Sequence, residues 1–223
     1  MGSRERRERE RDETRAKIMN AARELFAREG YDAVSMRRIA EAIEYSPTAI
    51  YVHFNDKEDL FRQLCNEDFG KLSEVATRLA KVPDPVERIR QVGHAYIRFA
   101  LAHPNHYRLM FMTAHPHADL DEEAMCRKGN PDEDGYAFLK AAVSEAIDAG
   151  RIREEFADSE LLTQTLWAAV HGMASLQIVK GNDPWIEWRP VEKRARAAIE
   201  AVIRGVLIDD RCRTRTAGTR EKK

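Results

Sequence analysis

The residues of this chain best suited to recognition chemistry lie close together, within positions 35–57. Four of them form the outer face of a short amphipathic segment: Thr48, Ala49, Tyr51 and His53. The polar groups of this face can hydrogen-bond to phosphates and base edges, and its size suits the major groove of DNA. Ile50 and Phe54, four residues apart, can anchor the opposite face to a core. The pattern predicts a surface able to read nucleic acid.

Two short helices must position this face. Ser35 can cap the first helix. The apolar stripe of that helix consists of Ile39, Ala40 and Ile43. A turn at residues 44–45 follows, and Ser46 with Pro47 opens the second helix. Helices joined so tightly cross at a steep angle, which is the helix-turn-helix pattern. An ordinary helical hairpin in an all-α protein is the alternative that these residues leave open.

A longer series of motifs, from Thr14 to Phe69, resembles the amino-terminal domain of the TetR family of bacterial transcriptional regulators. The motifs are Ala-Arg-Glu-Leu-Phe-Ala-Arg-Glu-Gly at 22–30, Tyr-Asp-Ala-Val-Ser at 31–35, Arg-Ile-Ala-Glu-Ala at 38–42, Ser46, Ile-Tyr at 50–51, His-Phe at 53–54 and Lys-Glu-Asp-Leu at 57–60. Several spaced motifs in one order are far more specific than a single helix-turn-helix pattern.

The resemblance also implies which residues contact DNA: Ser35, Arg37, Ser46, Pro47, Thr48, Ala49, Tyr51, His53 and Lys57. In the family, an arginine at the place of Arg37 can reach guanine, a contact that discriminates between bases by ~1–3 kcal/mol. A phosphate contact or a plain surface charge is the alternative for Arg37. Thr48 and Ala49 are expected against a base edge or a thymine methyl group. The last three residues of the set are expected on phosphates, which position the protein without specifying sequence.

The chain departs from the family pattern at two places. Many members have glycine where this chain has Glu44, and a small aliphatic residue where it has Tyr45. A residue other than glycine at positive φ costs ~1 kcal/mol or more, so we expect a strained or altered turn. Pro47, Thr48 and Ala49 replace the commoner Lys-Gly-Thr. No operator sequence can therefore be transferred from the family.

The composition of the 223 residues, 43% hydrophobic and 34% charged, is that of a globular protein with charged helix faces. A formal net charge of −1 argues against nucleic-acid binding, although Arg37, Arg38 and Lys57 allow a locally basic face. The 3 cysteines include no Cys-x-x-Cys pair, which argues against a zinc site. No apolar run reaches ~20 residues and the charged start has no apolar signal core, so a cytoplasmic protein is expected.

Helical periodicity without strand patterns predicts an all-α protein of about nine helices. Five segments are predicted: a disordered arm at 1–11, a helix-turn-helix domain at 12–56, a connecting helix at 57–83, a ligand-binding and dimerisation domain at 84–208, and a disordered basic tail at 209–223. The arm alternates Arg and Glu, which cannot bury apolar surface. Its arginines could follow DNA phosphates, but its glutamates cancel much of that attraction, so a solvated tail is predicted. Residues 114–133 are polar and predict a long loop.

The second half carries Trp-Ala-Ala-Val-His-Gly at 167–172, which resembles the Trp-His-Gly type of TetR-family carboxy-terminal domain. The resemblance implies a small-molecule effector that alters the distance between the two helix-turn-helix domains of a dimer. Candidate pocket residues are Tyr96, Phe99, Tyr107, Met110, Phe111, Phe138, Trp167 and His171. Each of these is also a reasonable core residue. The helix at 158–180 is apolar on more than one side, and a dyad-related copy is expected to cover it. The dyad is expected at this helix and the last one, which begins at Pro190.

The predicted function is a dimeric repressor that a small-molecule effector releases from a palindromic operator. An architectural or adaptor DNA-binding protein without an effector is one alternative. A metal-responsive regulator using His103, His106, His115 and His117 is another, although their spacing matches no fixed site. No cofactor is expected. An enzyme is not predicted, because the sequence has no nucleophile elbow, phosphate-binding glycine loop or His-Glu-x-x-His pair.

Overall fold

The computed structural model describes residues 3–113 and 127–208. Within these residues lie nine α-helices: α1 Ser3–Glu29, α2 Met36–Ala42, α3 Pro47–Tyr51, α4 Lys57–Thr77, α5 Pro85–Ala102, α6 Pro104–Phe111, α7 Gly135–Asp148, α8 Ser159–Lys180 and α9 Val191–Val206. A short 3₁₀ helix, Glu154–Phe156, precedes α8, and an isolated antiparallel bridge joins Ile152 to Leu207. The predicted all-α class is confirmed.

Local sequence sets the ends of several helices. Asp134 accepts hydrogen bonds from the backbone N–H groups of Tyr136 and Ala137, at 2.9 and 3.2 Å, and so caps α7. Asp158 caps α8 in the same way. At the end of α1, Gly30 has a φ of 83°, which glycine adopts without steric cost. These caps satisfy backbone groups that a helix end leaves without partners.

The first compact unit comprises the described residues of Met1–Lys71 and His103–Arg127. Helices α1 and α2 pack together, α2 packs on α3, and α6 packs on α1. The rings of Phe26, Tyr31 and Phe61 lie with centroids 4.9–5.6 Å apart. Leu109 of α6 is fully buried in the same core. Complete burial of each such side chain stabilises the unit by ~1.5–3 kcal/mol.

The second compact unit comprises the described residues of Leu72–Ala102 and Lys128–Lys223. Helix α5 packs against α7, α8 and α9, and α8 also contacts α7 and α9. Gly93 on α5 allows this close approach. A Cβ atom at its position would lie 3.3 Å from side-chain atoms of both Val170 and Ile199. The small residue therefore sets how closely α5 can meet α8 and α9.

The structure corrects three predicted boundaries. Residues 3–11 are part of α1 and not a disordered arm. Helix α4 ends at Thr77 rather than at residue 83, and turns closed by hydrogen bonds such as Leu79 N–H to Ala76 O follow it. Helix α6 belongs to the first unit, although the sequence placed it in the domain at 84–208. The predicted tail at 209–223 and residues 114–126 of the predicted loop lie outside the described residues.

Candidate nucleic-acid interface

Two serine caps hold the helix-turn-helix. The backbone N–H of Arg38 donates to Ser35 Oγ at 3.1 Å, and that of Ala49 donates to Ser46 Oγ at 3.3 Å. Pro47 occupies the first turn of α3. Since both hydroxyls already accept a backbone hydrogen bond, these serines act first by fixing where α2 and α3 begin.

The turn between α2 and α3 has the predicted unusual conformation. Glu44 has a φ of 59°, and it is the one described residue other than glycine with positive φ. The backbone N–H of Tyr45 donates to Ala40 O at 3.0 Å, which closes the turn over the fully buried Ala40. The strain at Glu44 is the cost of keeping this geometry without glycine.

Helix α3 has one buried face and one exposed face, as the sequence predicted. Ile50 is 0% exposed and Phe54 is 1% exposed, whereas Tyr51 is 54% exposed. Thr48 is exposed and Ala49 is half-buried. Val52, 66% exposed, lies beside this surface and was not predicted. The sequence did carry a signal for Val52. It is an apolar side chain next to polar positions, and such a side chain can contact a thymine methyl group.

The two predicted cationic residues near α3, Arg37 and Lys57, differ in side-chain exposure and in their contacts within the protein. The Arg37 side chain is 80% exposed, and its Nε lies 3.0 Å from Glu41 Oε1. Lys57 is half-buried; its Nζ donates to Tyr31 O at 3.1 Å and lies 4.1 Å from the centre of the Tyr31 ring. Arg37 can therefore turn to a ligand at little cost, whereas Lys57 must give up an internal bond to do so.

His53 lies at the end of α3 in a half-buried position. Burial lowers its pKa, and the charges of Arg11 and Arg15 lower it further. Its Nδ1 is buried and accepts no hydrogen bond from the described residues. The imidazole is therefore neutral at pH 7, and it can contribute an N–H donor to a phosphate but not a positive charge.

A buried charged network joins α1, α4 and α6 within the first unit. Arg23 donates two hydrogen bonds to the Asp68 carboxylate, both at 3.0 Å, and His106 Nδ1 lies 2.7 Å from Asp68 Oδ1. Asp68 is 0% exposed. Burial alone would raise the pKa of Asp68, but hydrogen bonds from His106 and Arg23 outweigh it and hold the pKa below its ordinary value. No motif or spacing in the chain indicated this network.

The predicted pocket residues do not fall in one unit. Tyr96, Phe99, Phe138, Trp167 and His171 belong to the second unit, and Tyr107, Met110 and Phe111 belong to the first. In the second unit, Trp167 Nε1 donates to Tyr96 Oη at 3.2 Å, and that hydroxyl lies 3.3 Å from His171 Nδ1. Burial lowers the pKa of His171. The second unit thus holds a neutral, hydrogen-bonded cluster in which Tyr96 is buried and the other two side chains are half-buried.

An apolar cavity of about 10 Å³ lies elsewhere in the second unit. Its lining is Val86, Ile89, Ile152, Leu162, Leu166, Ile203, Val206 and Leu207, which includes none of the predicted pocket residues. A volume of this size holds about one water molecule and no organic effector.

The described residues include two of the four histidines named for a metal-responsive regulator, His103 and His106. The rings of His103 and His106 lie 5.2 Å apart, and His106 is bonded to Asp68. Across residues 3–113 and 127–208, no group of three or more His, Cys, Asp or Glu side chains is placed to hold a metal. His115 and His117 lie outside the described residues. Burial raises the pKa of Cys65 to about 12, so this cysteine is a thiol at neutral pH.

Helices α8 and α9 both leave a stripe of residues in solvent. The exposed stripe of α8 is Leu161, Thr165, Ala168, Gly172, Leu176 and Val179. On α9, the small residues Ala197, Ala201 and Gly205 recur every four positions and are exposed. Residues three or four apart share one face of a helix, so each set forms a continuous surface.

Two protein-family profiles match this chain. The profile for bacterial regulatory proteins of the tetR family matches residues 18–64, and the profile for a tetracyclin repressor-like C-terminal domain matches residues 89–206. The second match alone covers more than half of the chain. The chain belongs to the TetR family.

Particular relatives are similar over shorter segments. The HTH-type transcriptional repressor AcnR of Corynebacterium glutamicum is 42% identical over 64 residues, which are 29% of this chain and 34% of that protein. The HTH-type transcriptional regulator UidR of Escherichia coli K12 is 35% identical over 81 residues, 36% of this chain and 38% of that protein. The chain thus spans little more than a third of the length of these curated relatives.

Solved structures match over most of the chain. A TetR family transcription regulator from Marinobacter aquaeolei has a TM-score of 0.71 at 21% identity, covering 91% of this chain and all of that one. The TetR family regulator PfmR from Thermus thermophilus has a TM-score of 0.65 at 21% identity, covering 84% and 97%. At this identity the likeness concerns the fold, and the Trp-His-Gly subtype stays a prediction. None of the described helices combines the length and hydropathy required to cross a bilayer.

Proposed function

We propose that this protein is a dimeric transcriptional regulator, acting as a repressor, that binds a palindromic DNA operator through α2 and α3. The observation that carries the proposal is the polar outer face of α3, with Thr48 and Tyr51 exposed while Ile50 is fully buried. A helix held this firmly by one side can place its other side in a major groove. The regulatory role follows from family membership, and repression is inferred from similarity to AcnR.

Within this surface, Arg37 is assigned the base contact. Its pair with Glu41 is exposed, and such helical pairs contribute only ~0.3–0.5 kcal/mol, so a guanine edge can displace the glutamate. Tyr51, with neutral His53, supplies hydrogen bonds to phosphates. Lys57 adds positive charge near the start of α4 while it remains bonded to Tyr31.

A second copy of the chain is proposed to cover the exposed stripes of α8 and α9. The α9 stripe consists of Ala197, Ala201 and Gly205, and such small residues let two helices approach closely. Contiguous apolar surface of this kind is costly to leave in water. A twofold dimer would present two α3 faces to half-sites ~34–36 Å apart. Two contacts are also what a tight specific complex of this size requires.

An effector is proposed to bind in the second unit beside the cluster of Tyr96, Trp167 and His171. Polar groups converging in an otherwise apolar interior are a common way to orient a small molecule. The apolar cavity described above does not include these residues. The effector is therefore proposed to make its own space by separating the side chains around the cluster. The effector must favour one DNA-binding arrangement, because equal affinity for both would shift nothing.

The test is selection of bound duplexes from a random-sequence pool, repeated with candidate effectors. We expect a palindromic site. Arg37→Ala should weaken binding to that site by ~1–3 kcal/mol and reduce the base preference at one position in each half-site. Arg78→Ala is the matched control, since Arg78 is also exposed and paired with a glutamate four residues away, Glu74.

If Arg37→Ala and the wild type bound equally well, the assignment of a base contact to Arg37 would be refuted. Failure to enrich any duplex would refute the regulator proposal. Enrichment that no effector changes would favour the effector-independent alternative.

A further inference from the structure

The amino-terminal part of α1 extends beyond the core of the first unit. Residues 4–13 are all exposed, and the first fully buried residue of the helix is Ile18. At ~1.5 Å per residue, the exposed segment is ~15 Å long. Packing does not explain a helix of this length, because these side chains cover nothing in the described structure.

The arginines of this segment are sorted onto two faces. At ~100° per residue, Arg4, Arg7 and Arg11 lie within one sector of ~60°, and Arg6 and Arg9 lie on the opposite side. Arg6 pairs with Glu10 at 3.6 Å. Arg4, Arg7 and Arg11 form no ion pair within residues 3–113 and 127–208. A basic stripe therefore runs along one side of the helix, with acidic residues beside it.

The stripe leads directly to the end of α3. Arg15, one turn further along the same face, has its guanidinium 5.5 Å from the centre of the Phe54 ring and donates to Gln63 Oε1 at 2.7 Å. The charges of Arg11 and Arg15 are also near enough to His53 to lower its pKa. The basic stripe and the exposed face of α3 are thus neighbours on the same unit.

We infer that Arg4, Arg7 and Arg11 form a second DNA-binding element, in which the helical extension of α1 lies along the duplex backbone and each guanidinium contacts a phosphate. Guanidinium groups suit this task because they bind phosphate oxygens in a bidentate manner and stay charged. Side chains three or four residues apart on a helix point the same way, so the three can engage one backbone together. The inference rests on the proposed function, since the element continues the α3 surface.

The experiment compares two double variants that remove the same charge from opposite faces of one helix. Arg4→Ala/Arg7→Ala removes two of the three arginines of the stripe, and Arg6→Ala/Arg9→Ala is the control. The probe is the duplex that the wild-type protein selects from a random pool, with its flanking sequence retained. Affinity is measured by fluorescence anisotropy across a series of salt concentrations, and far-UV circular dichroism verifies that each variant keeps its helix content.

We expect the stripe variant to bind with a shallower salt dependence. Each phosphate contact contributes ~0.9 to the magnitude of the slope of log K against log salt, so loss of two contacts in each protomer of the proposed dimer lowers that magnitude by ~3.6. Affinity at ~0.1 M salt should fall by more than about tenfold. The control should retain the wild-type slope to within about half a unit.

Two results would overturn the inference while leaving the regulator proposal standing. One is an unchanged slope in the stripe variant. The other is an equal loss in both variants, which would indicate general charge attraction without an oriented contact. A wild-type protein that selects no duplex would instead refute the proposed function, and this inference with it.

Discussion

The two units of this protein place their charged and apolar groups in opposite ways. The first unit buries a charged network, Arg23, Asp68 and His106, and presents a polar face on α3. The second unit has a largely apolar interior and presents apolar and small residues on α8 and α9. A polar surface suits a hydrated polyanion that is bound and released, whereas an apolar stripe suits a partner that stays in place. The contrast is what the proposed combination of a lasting dimer with reversible DNA binding requires.

The largest expected effect comes from placing a charge on the apolar stripe of α9. In the proposed dimer, Ala201→Glu would bury a carboxylate against the second copy, so we expect the two copies to dissociate. A single copy has one helix-turn-helix in place of two, so operator binding should weaken by ~10²- to 10⁴-fold. Analytical ultracentrifugation measures the first effect and anisotropy the second.

Ala157→Glu is the matched control, because Ala157 is also exposed in the second unit but lies outside both stripes. A stable Ala201→Glu dimer that binds the operator with wild-type affinity would show that the stripe of α9 is not part of the dimer interface.

The next largest effect should come from the buried network of the first unit. Asp68→Asn takes from the buried Arg23 its one fully buried carboxylate partner and leaves it only the half-exposed Glu67. Breaking a buried ion pair in this way typically costs ~3–5 kcal/mol of unfolding free energy. Chemical denaturation followed by circular dichroism measures the loss. Hydrogen exchange should locate it in α1, α4 and α6, which the network joins.

Glu67→Gln is the control for this variant. Glu67 also faces Arg23, at 3.6 Å, but its side chain is 38% exposed, so the change should cost less than ~1 kcal/mol. Equal destabilisation by the two variants would mean that burial of the carboxylate is not what makes Asp68 important.

A smaller effect is expected from pH. The folded-state pKa of Asp68 lies below its ordinary value of 3.8, so the network contributes its full stability above that pH. The contribution is lost as pH falls through the lower, folded-state pKa. Denaturation measured between neutral and acid pH should show this loss in the wild type, and the Asp68→Asn variant should show a correspondingly shallower acid dependence. Identical acid profiles would contradict the assignment of a charged Asp68.

The smallest effect concerns the turn between α2 and α3. Glu44→Gly should raise the free energy of unfolding by up to ~1 kcal/mol, because glycine adopts the positive φ of this position without strain. Thermal denaturation measures the gain. Glu41→Gly, three residues earlier inside α2, should instead lose ~1 kcal/mol from low helix propensity. A loss at both positions would argue that the turn is unstrained.

Prediction from sequence succeeded where the information was local. Ser35, Ser46 and Asp158 cap the helices that they were expected to cap or open, and Gly30 ends α1. Each of these features depends on residues within four positions of one another. The exposed face of α3 was equally accessible, since the alternation with Ile50 and Phe54 already defines its buried side.

The amino-terminal extension shows why a local pattern can still mislead. Alternating Arg and Glu have good helix propensity but no apolar face, so the composition fits both a disordered arm and an exposed helix. Starting a new helix is costly, whereas lengthening an existing one is not. Because residues 3–11 continue a helix that is anchored from Ile18 onward, they are helical here.

The amino-acid order therefore established the helical class and the side of α3 that faces solvent, since hydrophobic periodicity and capping act over a few residues. The helix-turn-helix needed the longer series of motifs from Thr14 to Phe69, because its local pattern also fits an ordinary helical hairpin. Tertiary structure decided that Arg23 meets Asp68 across 45 positions, that α6 joins the first unit, and that the predicted pocket residues are divided between two units. Contacts between residues far apart in the chain depend on how whole helices pack, and no short stretch of sequence encodes that arrangement.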